Sequence, residues 1–230
     1  MARLIVYGDI HGCLDELIAL RKKIGILDDD IEVCVGDVIT KGNNSLKTLK
    51  FLRKKGIFCV LGNNEEIFLR FMNERENNSS LKLDQDKKNI LRNLSIKDWD
   101  FLRSLPYFIQ IDRYTIVHGG LQNSMNLQTL SQEDKDKIIK MRYLSKSGKF
   151  IAYEKEDKKS VFWADLYDGK NGFVIYGHQR FKEPKLSAHA IGIDTGCVYG
   201  QKLTALIVEE QEMRFVNVTF GEQDTNKVAP

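Results

Sequence analysis

The stretch Leu4-Ile5-Val6-Tyr7-Gly8-Asp9-Ile10-His11-Gly12 joins four apolar residues to a turn that holds a carboxylate and an imidazole between two glycines. The apolar run reads as a buried parallel strand, because such strands are covered on both faces and do not alternate. An open α/β sheet places its ligands just beyond the carboxyl ends of its strands. Imidazole nitrogen beside carboxylate oxygen suits a borderline ion such as manganese, iron or zinc. Taken alone, the turn could equally be an Asp-His hydrogen bond at the surface.

The same grammar recurs along the chain. Ile31 to Val35 runs into Gly36-Asp37, and Ile57 to Leu61 runs into Gly62-Asn63-Asn64-Glu65. Thr115 to Val117 runs into His118-Gly119-Gly120, and Phe173 to Tyr176 runs into Gly177-His178. Five strands that each end in a nitrogen or oxygen ligand beside glycine supply two sets of donors, enough for two metals.

In that order and spacing the chain resembles the phosphoprotein phosphatases, a family of calcineurin-like metallophosphoesterases that includes bacterial serine/threonine phosphatases and diadenosine tetraphosphatases. The family's GDxHG, GDxxDRG and GNHE steps align with Gly8 to Gly12, Gly36 to Gly42 and Gly62 to Glu65. Its His-Ala-Gly-like and Gly-His steps align with His118 to Gly120 and Gly177-His178. Ile193 to Gly200, followed by Leu203-Thr204-Ala205, resembles the C-terminal signature of bacterial members. The resemblance implies that Asp9 and His11 bind a first metal, that Asp37 bridges, and that Asn63, His118 and His178 bind a second. It implies two divalent cations, manganese first with iron or zinc as alternatives, and in-line attack on phosphorus by a metal-bridging water. The fold it implies is α/β: two mixed sheets packed as a sandwich and flanked by helices in four layers, with a helical cap insert.

The likeness breaks at three positions. Thr40 and Lys41 stand where the family has Asp-Arg, and Asn64 stands where it has His. That His is thought to protonate the leaving group with the Asp orienting it, so Asn64 and Thr40 mark an altered catalytic pair. An amide transfers no proton near neutral pH, and losing a general acid costs roughly 10²- to 10⁴-fold when the leaving group needs one. Phosphoanhydrides and aryl phosphates need it less. Lys41 offers a point charge where a guanidinium would clamp phosphate with two bonds. Arg142, between the last two His steps, is the candidate for the remaining phosphate contact, with a solvated helix charge as the alternative. His189 could replace the acid, although a histidine inside the strand-like Ala188 to Ile193 more often serves packing.

With 230 residues, 42% hydrophobic and 29% charged, the chain suits one globular domain over residues 1–220, with a flexible tail over 221–230. A net charge of +3 is too small to suggest nucleic acid, and no apolar run is long enough for a membrane. The expected partner is a phosphorylated substrate, phosphoprotein or nucleotide, and oligomeric state is not indicated. Cys13, Cys34, Cys59 and Cys197 lack CxxC spacing and read as buried thiols, which points to the cytoplasm.

Helical spacing marks Leu14 to Ile24 with Gly25 as its stop, and Leu46 to Leu52 ending near Gly56. Asp28-Asp29-Asp30 reads as a solvated turn. Ile67 to Phe71 begins a helix that enters a polar stretch, Asn73 to Ser80, and a helical insert over about 78–105 is expected to cover the cleft, with Ser95 and Asp98 as caps. Tyr107 to Ile111 and Tyr114 to Val117 open a second sheet. Gln122 to Lys159 reads as loops with a helix over Glu133 to Met141, and Leu203 to Val208 with Met213 to Phe220 reads as an antiparallel pair.

Three functions remain open. The first is a serine/threonine-phosphatase-like monoesterase with a weakened acid site. The second is a dinucleoside polyphosphate hydrolase, and the third a phospho-ligand-binding protein with little turnover.

Overall fold

The computed structural model describes residues 2–75, 83–210 and 212–221. Most of the polar stretch after Asn73, the first residues of the expected insert and the tail after Gly221 lie outside them. Three apolar segments build the first sheet by parallel pairing: β1 (Leu4–Tyr7) with β2 (Ile31–Cys34), and β2 with β3 (Phe58–Cys59). β12 (Lys202–Glu209) pairs antiparallel with β1 and with β13 (Glu212–Thr219), which gives the order β13-β12-β1-β2-β3.

The second sheet has β5 (Tyr114–Val117), β9 (Phe173–Tyr176) and β11 (Ala190–Gly192) side by side in parallel. β4 (Phe108–Ile111) and β10 (Lys185–Leu186) close its edges antiparallel. A small third sheet, β6 (Tyr143–Leu144) between β7 (Phe150–Ile151) and β8 (Val161–Phe162), stands where the sequence reading had only loops. Its two-residue strands are too short for alternation to reveal.

Side-chain alternation assigns the layers. In β1, Leu4 and Val6 enter a core shared with Ile116, Ile175 and Ile191 of the second sheet. Ile5 and Tyr7 enter a second core beneath the helices. In β9, Val174 and Tyr176 face a third core, with Trp163 and Met141. Two sheets therefore pack face to face with a helical layer outside, and each fully buried Val, Leu, Ile or Phe contributes roughly 1.5–3 kcal/mol to the assembly. α1 (Leu14–Ile24) and α2 (Ser45–Lys55) end at left-handed Gly25 and Gly56, φ 67° and 68°, as their sequences indicate.

α3 (Asn63–Arg75) starts on the residue after Gly62, so its first turn belongs to the site. The insert is helical as expected: α4 (Gln85–Asn93), and α5 (Ile96–Ser104) with a Ser95/Asp98 capping box. Its position differs. Ile90, Leu102 and Leu105 join the core under α1 and α2, and no described insert residue lines the site cavity. The helix read over Glu133 to Met141 is α6 (Gln132–Ile138), which ends three residues sooner, because the Ile138 carbonyl turns to accept the N–H groups of Gly119 and Gly120. Asp30 is not solvated as its neighbours suggested. Arg3 grips it with Nε–Oδ1 2.8 Å and Nη2–Oδ2 2.6 Å, and that guanidinium holds the carboxyl below its ordinary range.

Candidate metal centre

Six parallel strands, β1, β2, β3, β5, β9 and β11, deliver residues to one cleft at their carboxyl ends. Asp9 and His11 follow β1, Asp37 follows β2, Asn63 follows β3, His118 follows β5 and His178 follows β9. The structure thus gathers all six residues expected to bind metal. His11 Nε2 lies 3.4 Å from Asp37 Oδ2 and 4.0 Å from Asp9 Oδ2. His118 Nε2 lies 3.3 Å from Asp37 Oδ1 and 2.9 Å from Asn63 Oδ1, and the His118 and His178 rings meet edge to face at 4.9 Å.

Backbone shape is part of the geometry. His11, Asp37 and His178 sit at φ 46°, 49° and 63°, a left-handed region that costs a non-glycine residue about 1–3 kcal/mol. Surrounding contacts hold them there. Glu65, fully buried at the start of α3, accepts from the N–H groups of Asp37, Val38, Ile39 and Gly62 at 2.9, 2.9, 3.1 and 3.2 Å. The loop it fixes in turn accepts from the first ligand turn: Asp37 O from His11 N at 2.8 Å, and Val38 O from Gly12 N at 2.8 Å. Glycine is required at two close approaches. A Cβ on Gly62 would lie 2.3 Å from Asp37 N, and one on Gly177 would lie 2.0 Å from Asp9 Oδ1.

The protonation pattern tests whether these residues fit a cation. Each of two imidazoles commits Nδ1 to a backbone carbonyl, His11 to Ile39 O at 3.2 Å and His118 to Val35 O at 2.8 Å, so Nδ1 carries the proton. Burial lowers both pKa values, that of His11 to about 4, and both rings are neutral at pH 7. Burial, then His118 and Arg142, holds His178 well below its ordinary value. The Nε2 lone pair of His118 therefore faces carboxylate and amide oxygens with no proton between them, an arrangement that a cation relieves, while that of His11 accepts from the Lys41 ammonium. Burial opposes the ionisation of Asp37, but facing His118 and His11 and the Asn64 N–H outweigh it, and its pKa lies below normal. Asp9, Asp37 and His118 bring ligand atoms within 4.8 Å of one another. The donor set fits divalent ions.

The two substituted positions are not paired. Asn64 Nδ2 donates to Asp37 Oδ2 at 2.6 Å and its N–H to Oδ1 at 3.0 Å, so Asn64 orients the central carboxylate. Thr40 is buried with φ 75°, and its Oγ1 has no hydrogen-bond partner among the described residues. Lys41 and Arg142 both line the cavity, Lys41 donating from Nζ to His11 Nε2 at 2.9 Å and Arg142 from Nε to His178 Nε2 at 3.0 Å. Arg142 is thus a residue of the site and not a helix surface. His189 is exposed and packs over Gly169, away from the cavity.

Five further residues complete the cavity of about 400 Å³: Asp194, Arg180, Gln179, Tyr153 and Tyr199. Asp194 follows β11 as the six candidate ligands follow their strands, and the apolar run Ala190 to Ile193 before it is the signal that could have revealed it. Burial, then Asp37 against the Gly196 N–H, pushes its carboxyl up to about 6.

Comparison with known proteins agrees with this geometry. The family model described as Calcineurin-like phosphoesterase, whose members bind divalent metals, matches residues 2–185. A protein of Oceanobacillus iheyensis named bis(5'-nucleosyl)-tetraphosphatase PrpE (asymmetrical) is 28% identical over 94% of this chain and 92% of its own. Its namesake in Bacillus subtilis is 24% identical over 90% and 91%. A crystal structure described as a candidate diadenosine tetraphosphatase superposes with a TM-score of 0.80 at 24% identity, covering 96% of this chain and 95% of that one. A metallophosphoesterase from Sphaerobacter thermophilus shares the fold with a TM-score of 0.58 at 16% identity, over 95% and 89%.

Proposed function

Because the chain belongs to the calcineurin-like phosphoesterases and is a phosphoric ester hydrolase, we propose that it cleaves dinucleoside polyphosphates of the diadenosine tetraphosphate type. One observation carries this reading: a cavity lined by five of the six candidate donors, with His118 beside Asp37 as the sixth, is flanked by three cationic side chains, Lys41, Arg142 and Arg180. Three positive charges suit an extended phosphate chain better than a single monoester phosphate. The tetraphosphatase names of the relatives support the same choice.

Asp9, His11 and Asp37 would hold one cation, and Asp37, Asn63, His118 and His178 the other, manganese being the first candidate for this nitrogen and oxygen set. Such a pair of cations supplies Lewis acidity and a reactive water at neutral pH. Asn64 fixes the plane of Asp37 between the two halves. Lys41, Arg142 and Arg180 draw in and neutralise the phosphate chain. The leaving group of an anhydride is itself a phosphate and departs without a donated proton, which makes an amide at position 64 tolerable. Glu65, which at first sight favours the monoesterase reading because it ends the GNHE-like step, instead ties the Asp37 loop to the Gly62 turn and does not distinguish the substrates.

The test is turnover of purified protein with manganese on diadenosine tetraphosphate, a phosphoserine peptide and p-nitrophenyl phosphate. The tetraphosphate should exceed the phosphoserine peptide in kcat/KM by about 10²-fold or more, the span expected where an alkoxide lacks its acid. Equal hydrolysis of peptide and tetraphosphate would restore the protein-phosphatase reading. Bound metal with no turnover of any of the three would make this a phospho-ligand-binding protein.

A further inference from the structure

Two tyrosines stand at the rim of the cavity with most of their surface free: Tyr153 is 66% exposed and Tyr199 is 54% exposed. Each is tied by a cation to a different part of the centre. Lys41 Nζ lies 5.4 Å from the Tyr199 ring centroid and 2.9 Å from His11 Nε2. The Arg142 guanidinium lies 5.1 Å from the Tyr153 centroid, and its Nε lies 3.0 Å from His178 Nε2. A path of contacts therefore runs from one ring through the metal-ligand cluster to the other. Arg180 adds a second cation 4.4 Å from the Tyr199 centroid, and its side chain crosses Gly196 so closely that a Cβ there would meet its Cδ at 2.6 Å. A large aromatic ring gains little by standing exposed at the edge of a charged cleft. A planar ring beside a cation, with open area left, is what a nucleobase stacks on.

We propose that Tyr153 and Tyr199 are the two base-stacking platforms of the substrate site, one for each nucleoside of a dinucleoside polyphosphate whose phosphate chain crosses the centre between them. This rests on the substrate reading above and adds the residues that recognise the ends of the molecule. Tyr153 lies in the loop just after β7 and Tyr199 ends the single 3-10 turn Cys197–Tyr199 after Asp194, connections where specificity is readily varied without disturbing the strand ends.

The test is equilibrium binding to the manganese-loaded protein of a methylene-bridged diadenosine tetraphosphate analogue, which is not cleaved, and of inorganic tripolyphosphate, which has no base. Tyr153→Ala and Tyr199→Ala should each weaken the analogue about tenfold relative to tripolyphosphate, the loss expected for one stacked base. Tyr153→Phe and Tyr199→Phe, which keep the ring, should restore binding to within about twofold of the parent. If both alanine variants keep the parent's preference for the analogue, or if the two ligands weaken in parallel, the rings are not platforms. A parent protein that binds tripolyphosphate as tightly as the analogue and leaves diadenosine tetraphosphate uncut overturns the substrate reading itself. A parent that prefers the analogue, with unaffected variants, overturns only the platforms.

Discussion

Glu65 is the side chain on which the position of the others most depends. Its carboxylate takes four backbone N–H groups, and through the loop it holds it sets Asp37 and the first ligand turn. Glu65→Gln removes acceptor capacity and turns an amide NH₂ toward donors, leaving buried N–H groups unmatched. It should cost about 1–3 kcal/mol in denaturant unfolding and weaken metal binding about 10- to 100-fold in a titration. Unchanged metal affinity would show that the loop holds its shape without it. Asp194 makes a different prediction. With its carboxyl pushed up to about 6, it is protonated below that pH and can donate; above it, the proton is gone. In the metal-free protein Asp194→Asn should therefore remove a titration near pH 6, and bound manganese should shift that titration downward; a titration unmoved by manganese would place Asp194 outside the field of the centre. Of these residues the sequence revealed the six candidate ligands, because each follows an apolar run and touches glycine. It did not reveal what Asn64 does. Only the fold shows that its amide is turned onto Asp37.

The strands and the first two helices were readable because buried parallel strands are continuous apolar runs and left-handed glycines end helices. β6, β7, β8 and β10 were not, since two-residue strands leave no period. The insert shows the limit most clearly. Its helices and its Ser95/Asp98 cap follow from the sequence, but an apolar face does not say which surface it covers, and it joins α1 and α2. It meets the edge of the site where Lys41 N donates to Asp86 Oδ2 at 3.1 Å. Ser95→Ala should lower stability by about 1 kcal/mol through the lost cap, measured by thermal melting, with kcat/KM on diadenosine tetraphosphate unchanged. A parallel loss of activity would place the insert over the cleft after all.

The candidate ligands come from both sheets, three strands of the first and two of the second, joined by the core that Leu4, Val6, Ile116 and Ile175 share. Metal bound at their junction would therefore clamp the two sheets together. Binding to the folded state alone stabilises by about 4 kcal/mol per site at a thousand times Kd, so manganese should raise Tm by several degrees and chelation should reverse it. A Tm indifferent to both would deny the clamp. The most direct measurement of the central claim is metal stoichiometry after equilibrium dialysis against manganese, for the parent and for Asp37→Asn, which weakens the carboxylate facing both halves of the cluster. The parent should hold two ions per chain and the variant one or none. A parent that retains no metal, or a variant that still holds two, would contradict a centre built around Asp37.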